Sequence, residues 1–289
     1  MAFTSKDVMA LRQKTGVGML DCKKALEATD GDMEKAIDFL REKGLSSAAK
    51  KESRIAAEGV IATATNGNKT VLLEVNCETD FVAKSDAFKN FVSIVANYIL
   101  DNPTVDVAEI PTILAKDFGE VTIKVGEKIS VRRYTVFETA DDTVDAYIHF
   151  DSSIGVMVQM SAGTAKTVAH DVALQIATMD AKYIDRNEVP ADVVEHEKEI
   201  IKAQIENEDS SKPAAIIEKM VLGKINKFYK EVCLVDQDFI KDNSLTIGKY
   251  IAANGGGKIV RFIAYKMGEG IEKRNDNLAD EIAKMTGNK

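Results

Sequence analysis

Two stretches of this chain echo one another. From Gly126 it reads GEKISVRRYT, and from Gly256 it reads GGKIVRFIAY. Each is strand-like, and each closes a segment of similar plan. In the first half, Val60 to Thr65 and Thr70 to Cys77 flank Asn66, Gly67 and Asn68, the pattern of a β-hairpin. Phe88, Phe91, Val92, Val95 and Ile99 then recur at helical spacing as far as Pro103, a weaker helical stretch covers Ile110 to Leu114, and a strand runs from Lys128 to Phe137. In the second half, Tyr147 to Phe150 and Ile154 to Ser161 form a hairpin, and Val168, Val172 and Ile176 give the next helix its inward face. A repeat in both sequence and order points to internal duplication, with two related α+β subdomains.

Ahead of the first subdomain the chain reads as helix alone. Ser5 can cap a first helix with Val8 and Leu11 inward, and Thr15 to Gly18 turns the chain. Cys22, Ala25 and Leu26 line a second helix, Asp30 and Gly31 turn again, and Met33, Ala36, Ile37 and Leu40 line a third that ends at Gly44. A charged, alanine-rich connector, Ser46 to Glu58, continues it. Within the second subdomain lies an insertion in which Val193, Val194, Ile200 and Ile201 recur seven apart. Past Asp209, Ser210, Ser211 and Pro213, the residues Ile217, Met220, Val221, Ile225 and Phe228 follow at three- and four-residue steps. That is the pattern of an antiparallel helical hairpin with a coiled-coil-like seam.

Chemistry is sparse. With a net charge of -8 the chain lacks the basic surface that phosphate binding needs, so direct nucleic-acid binding is not expected. The start has no apolar core of a signal peptide, and no run approaches the roughly 20 apolar residues of a membrane helix, which places the chain in the cytoplasm without a membrane partner. Cys22, Cys77 and Cys233 are far apart and odd in number, as small core residues are, and form no disulfide or metal framework. His170 lies on an apolar-striped helix and His196 on a charged one. Gly255, Gly256, Gly257 and Lys258 superficially suggest a phosphate loop, but Ala252 stands where its first glycine belongs, Ile259 replaces the magnesium-binding Ser/Thr, and a strand follows. No cofactor or metal is expected, and the chain reads as a protein that acts by binding rather than as an enzyme.

One segment does suggest function. Leu72 to Lys84 reads LLEVNCETDFVAK: a half-buried strand through Cys77, then Thr79 and Asp80, which favour turns and helix starts, then Phe81 where the chain leaves the sheet. Apolar aromatics are mostly buried, so the plain expectation for Phe81 alone is the core.

This segment does not stand alone. Together with TGVGMLDCKKAL from Thr15, KKESRIAAEGVI from Lys50, KVGEKISVRR from Lys124, IGVMVQM from Ile154 and MGEGIEK from Met267, it resembles the elongation factor Ts family over essentially the whole chain. The resemblance implies a guanine-nucleotide exchange factor for elongation factor Tu, and it implies a division of the chain. Residues 1–53 would be a three-helix ubiquitin-associated-like bundle, 54–140 the first core subdomain, 141–181 with 233–265 the second, 182–232 the inserted hairpin, and 266–289 a C-terminal module.

It also implies site residues. Thr79, Asp80, Phe81 and Val82, on an exposed loop with the Phe81 ring outside the core, would enter the GTPase domain and displace the elements that hold its magnesium and phosphates. Lys23, and more weakly Lys51, would meet the same domain. Gly126, in KVGEKI, is read equally as a contact or as a turn glycine. His149 follows a tyrosine-containing strand, as the family's histidine does, but its loop lacks the family's glycines. A looser match puts Phe239 and Ile240 near the partner's third domain. The hairpin would pair two copies into a dimer of heterodimers. The alternative function is a ubiquitin-associated-type adaptor without exchange activity.

Overall fold

A computed structural model describes residues 3–208 and 213–272. Asp209, Ser210 and Ser211, Lys273 of the MGEGIEK match, and the C-terminal module beyond residue 272 lie outside the described residues. The chain divides into two compact units. One comprises the chain up to Asn66, Leu73–Val136 and the segment from Lys266; the other comprises Gly67–Leu72 and Phe137–Tyr265.

The first unit opens with three helices, α1 (Ser5–Thr15), α2 (Met19–Ala28) and α3 (Met33–Lys51). Val8, Leu11, Cys22, Ala25, Leu26, Ala36 and Leu40 close their common core, as the apolar spacing requires. Two ends differ from expectation. The cap of α1 is Thr4, one residue earlier than Ser5, because the Asp7 carboxylate takes both the backbone N–H and the hydroxyl of Thr4 at 2.7 Å. Nor does α3 end at Gly44. That glycine is buried within the helix, and a Cβ there would lie 2.4 Å from the Gly119 carbonyl oxygen, so it serves close approach and not a left-handed cap.

The hairpin β1 (Glu58–Asn66) and β2 (Lys69–Cys77) turns at Gly67, whose φ of 59° suits the Asn-Gly turn. After the short α4 (Asp80–Lys84), α5 (Asp86–Asp101) buries Phe88, Phe91, Val92, Val95 and Ile99. The turn α6 (Ile110–Ile113) leads into α7 (Ala115–Val125), a helix beyond the stretch expected from Ile110 to Leu114. It buries Phe118, Val121 and Thr122, sets the Phe118 ring edge-on to Phe91 at 4.7 Å, and lies along α3. Strand β3 (Ser130–Glu138) completes a sheet of order β1-β2-β3.

In the second unit β4 (Thr143–Ile148) pairs antiparallel with β5 (Ile154–Met160), from Thr143 opposite Met160 to Ile148 opposite Gly155. The first strand of this hairpin therefore starts four residues earlier than expected and ends two earlier, before His149 and Phe150, which stand in the connecting loop. Helix α8 (Lys166–Met179) buries Val168, Val172 and Ile176. The insertion is α9 (Ala191–Glu208) and α10 (Ala214–Val232), then β6 (Asp238–Phe239), β7 (Asp242–Thr246), α11 (Ile247–Ala253) and β8 (Ile259–Lys266). The order β4-β5-β8 repeats the plan of the first sheet, with the closing strand again drawn from the echoed sequence. Cys22, Cys77 and Cys233 are all fully buried; burial pushes the thiols up, to about 12 for Cys77 and about 11 for Cys233.

Candidate functional site

Strand β2 is the anchor of the site. Val71, Leu72, Leu73, Val75 and Cys77 have no exposure, and their burial fixes where the strand ends. Thr79 then takes an extended conformation (φ −131°, ψ 154°) and caps α4, its Oγ1 accepting from the Val82 N–H. Asp80 occupies the first turn and pairs with Lys84 one turn on at 2.6 Å; the hydrogen bond from Lys84 holds its carboxyl below the usual range. Ala83 faces the core, Val82 is half-buried, and Phe81 points the other way with 83 % of its surface exposed. The ring stands outside the core as the motif implies, but on a short helix and not a loop; the plain expectation for an aromatic fails because the helix has one inward face, and alanine already fills it.

Hydrogen bonds fasten this short helix to the turn after α7. The Glu127 carboxylate accepts from the backbone N–H groups of Glu78 and Thr79, both at 2.9 Å, and from the Thr79 hydroxyl at 2.6 Å. In return the Glu78 carboxylate accepts from the Lys128 N–H at 2.7 Å and from Arg54 at 3.1 Å. Gly126 ends α7 in the left-handed region (φ 79°), with nothing near the position a Cβ would take.

A family model, Elongation factor TS, matches residues 78–269, two thirds of the chain. The chain belongs to the elongation factor Ts family. Elongation factor Ts proteins are exchange factors of translation elongation without a chemical step of their own, and membership implies nucleotide exchange on elongation factor Tu. The match begins at Glu78, the residue that starts the Glu127 clasp, and takes in part of each compact unit, leaving out the three N-terminal helices. Among the described residues no group of three or more His, Cys, Asp or Glu side chains could hold a metal ion, and no helix is long and apolar enough to cross a membrane.

The other residues carried over from elongation factor Ts lie in separate places. Lys23 sits on the exposed face of α2 and pairs loosely with Glu27 at 3.6 Å. Beside it, Met19 and Leu20 are exposed by 41 % and 66 %, an apolar pair that no periodic pattern in the sequence marks. Lys51 closes α3, where burial and then the charge of Arg54 lower its pKa. Thr79 to Val82 and Gly126 belong to the arrangement around α4. His149, in the second unit, accepts or donates a hydrogen bond with the Tyr147 hydroxyl at 3.2 Å and lies 4.5 Å, ring to ring, from Phe150. Phe150 is 90 % exposed. A lone aromatic beside a polar turn gave no periodic signal, so its exposure was legible only once β4 was seen to end at Ile148. In contrast Phe239 is buried and stacked on Tyr250 at 4.2 Å, and Ile240 alone of that pair reaches the surface.

Proposed function

We propose that this chain releases GDP from elongation factor Tu by inserting Phe81, carried on α4 with Thr79, Asp80 and Val82, into the GTPase domain and displacing the groups that hold the magnesium ion and phosphates. The observation that carries this reading is a large apolar ring, 83 % exposed, on a helix fastened at its start by six hydrogen bonds between residues 78–79 and 127–128 and Arg54. Burying that ring in a partner would supply on the order of 1.5–3 kcal/mol. Coupling is reciprocal: the factor by which the chain weakens nucleotide is the factor by which nucleotide weakens the chain. The empty form is thereby stabilised until GTP binds.

In the same reading the N-terminal helices are a ubiquitin-associated-like module that docks on the GTPase domain through Lys23 with Met19 and Leu20, and more weakly through Lys51. Gly126 shapes the site, His149 meets a second surface of the partner, the two halves are a duplicated core, and the α9–α10 hairpin pairs two complexes. The setting is the cytoplasm, where translation takes place. The test is release of labelled GDP from elongation factor Tu by catalytic amounts of the chain. Acceleration is expected with the wild-type chain. Phe81→Ala should lose at least about 2 kcal/mol, roughly 30-fold, as a hot-spot truncation does, with an unchanged melting temperature. No acceleration by the wild-type chain would leave the adaptor alternative standing.

A further inference from the structure

We propose that Glu127 is the positioning residue for the exchange probe: its carboxylate fixes the direction in which α4 presents Phe81. The proposal rests on the exchange reading for its consequence, but its geometry stands without it. Helix α4 has five residues, far too few to persist in water through its own hydrogen bonds. Its orientation must come from outside: Ala83 sets which face turns inward, and the two ends set its tilt. At the far end Ser85 donates its hydroxyl to the Val82 carbonyl at 2.7 Å and caps α5, which fixes the exit. At the near end Thr79 has no strand partner to continue with, and Glu127 supplies three acceptor contacts to two consecutive residues. Charge-assisted bonds of this kind are stronger than those between neutral groups.

The return bond from the Lys128 N–H to Glu78 makes the clasp reciprocal. Two dipeptides, 78–79 and 127–128, therefore each use a carboxylate to satisfy the other's backbone, and the tilt of α4 cannot change without breaking several bonds together. The left-handed turn at Gly126 is what brings Glu127 round to Thr79. On this reading Gly126 acts through its neighbour, and its place in the motif needs no contact of its own with the partner. Rigidity matters because a probe that must be ordered on binding gives up affinity to do so.

The chain contains no tryptophan, so Phe81→Trp places a single fluorescent ring at the probe position. In the free chain, Glu127→Ala should raise the amplitude of fast, nanosecond-scale anisotropy decay of that ring while far-ultraviolet circular dichroism is unchanged. With Phe81 in place, Glu127→Ala should slow GDP release about tenfold, the scale of a lost charged hydrogen bond. Glu127→Gln keeps an acceptor for the two N–H groups and should stay within about threefold of wild type. In a Phe81→Ala background, Glu127→Ala should make less than about a twofold further difference, because both changes remove the same interaction.

An unchanged anisotropy decay, or a full tenfold further loss without the Phe81 ring, would overturn the proposal and leave Glu127 a residue of general stability. If Glu127→Ala unfolds the chain, Glu127→Asp keeps the charge but withdraws it by one methylene, and the same two readings decide. A wild-type chain that fails to release GDP would remove the exchange reading, whereas the anisotropy comparison would still decide whether Glu127 holds the helix.

Discussion

Glu74 keeps a carboxylate where water does not reach. It has no exposure, and it accepts from Arg132 at 2.9 Å, Arg133 at 2.7 Å and the Gly268 N–H at 2.9 Å. Burial is the largest single influence and pushes its pKa up, but the Gly268 N–H and the two guanidiniums together outweigh it and hold the carboxyl below its ordinary value of 4.5. A depressed folded-state pKa means that the stabilisation is complete above that ordinary value and is lost as pH falls through the lower folded one. We expect Glu74→Gln to cost roughly 3 kcal/mol at pH 7, the low end for breaking a buried pair, since both arginines are partly open to solvent. The gap in melting temperature between variant and wild type should narrow steadily as pH falls from 5 to 3; a constant gap would mean that charge is not what Glu74 contributes. Gly268 has a similarly strict position, with φ 66° and the Ala57 carbonyl oxygen 2.6 Å from any added Cβ. Phe150 lies at the opposite extreme. Phe150→Ser should leave stability within about 0.5 kcal/mol, as exposed substitutions do, and titration against elongation factor Tu should show weaker binding if the His149 loop meets the partner.

At the scale of elements, hydrophobic period was a good guide wherever one face was buried and the other wet. The stripe on α5, the inward face of α8 and the Asn-Gly hairpin all stand as their spacing implies. Helix α7 escaped because Gly119, Val121, Thr122, Ile123 and Val125 are poor helix formers, and packing on α3 and α5 overrides that preference. The hairpin seam departs in part from its apolar spacing: Ile201 and Ile225 are buried as expected, but Ile205 joins them and Ile200 faces outward. Phe81 could not be settled by period at all. Its exposure depends on Ala83 and on the distant Glu127, and no local pattern encodes that. The α3–α7 crossing supplies its own prediction. In an exposed helix Gly44→Ala would add roughly 0.5–1 kcal/mol of helix stability, but a Cβ 2.4 Å from the Gly119 oxygen forces the helices apart. We expect a net loss of about 1–3 kcal/mol in urea denaturation; a gain in stability would show that α3 and α7 separate readily.

For the molecule as a whole, the α9–α10 hairpin is the part whose removal asks least of the rest. Its two ends meet: Tyr183 bridges Cys233, Lys182 and Tyr183 donate to the Val232 carbonyl, and Leu234 and Val235 donate back to Tyr183 and Ile184. The chain thus leaves its unit and returns at one place, and Ile201, Ile205 and Ile225 form a small core of the hairpin's own, apart from the one beneath α8. Along it runs a groove of about 560 Å³ lined by Ile217, Val221 and Leu222 between charged rims, and Ile216 and Leu222 are 47 % and 61 % exposed. An apolar stripe flanked by charges is what a second copy would cover. Replacing residues 191–230 with a short Gly/Ser link should therefore keep the fold, because the pairing of Tyr183 with Cys233 survives. It should also keep most GDP release, because α4, Glu127 and the N-terminal helices belong to other segments. Light scattering on the complex with elongation factor Tu should show two copies of each protein before the replacement and one of each after it. A complex already at one of each would refute pairing through the hairpin. Lost exchange in a folded variant would show instead that the hairpin itself touches the GTPase.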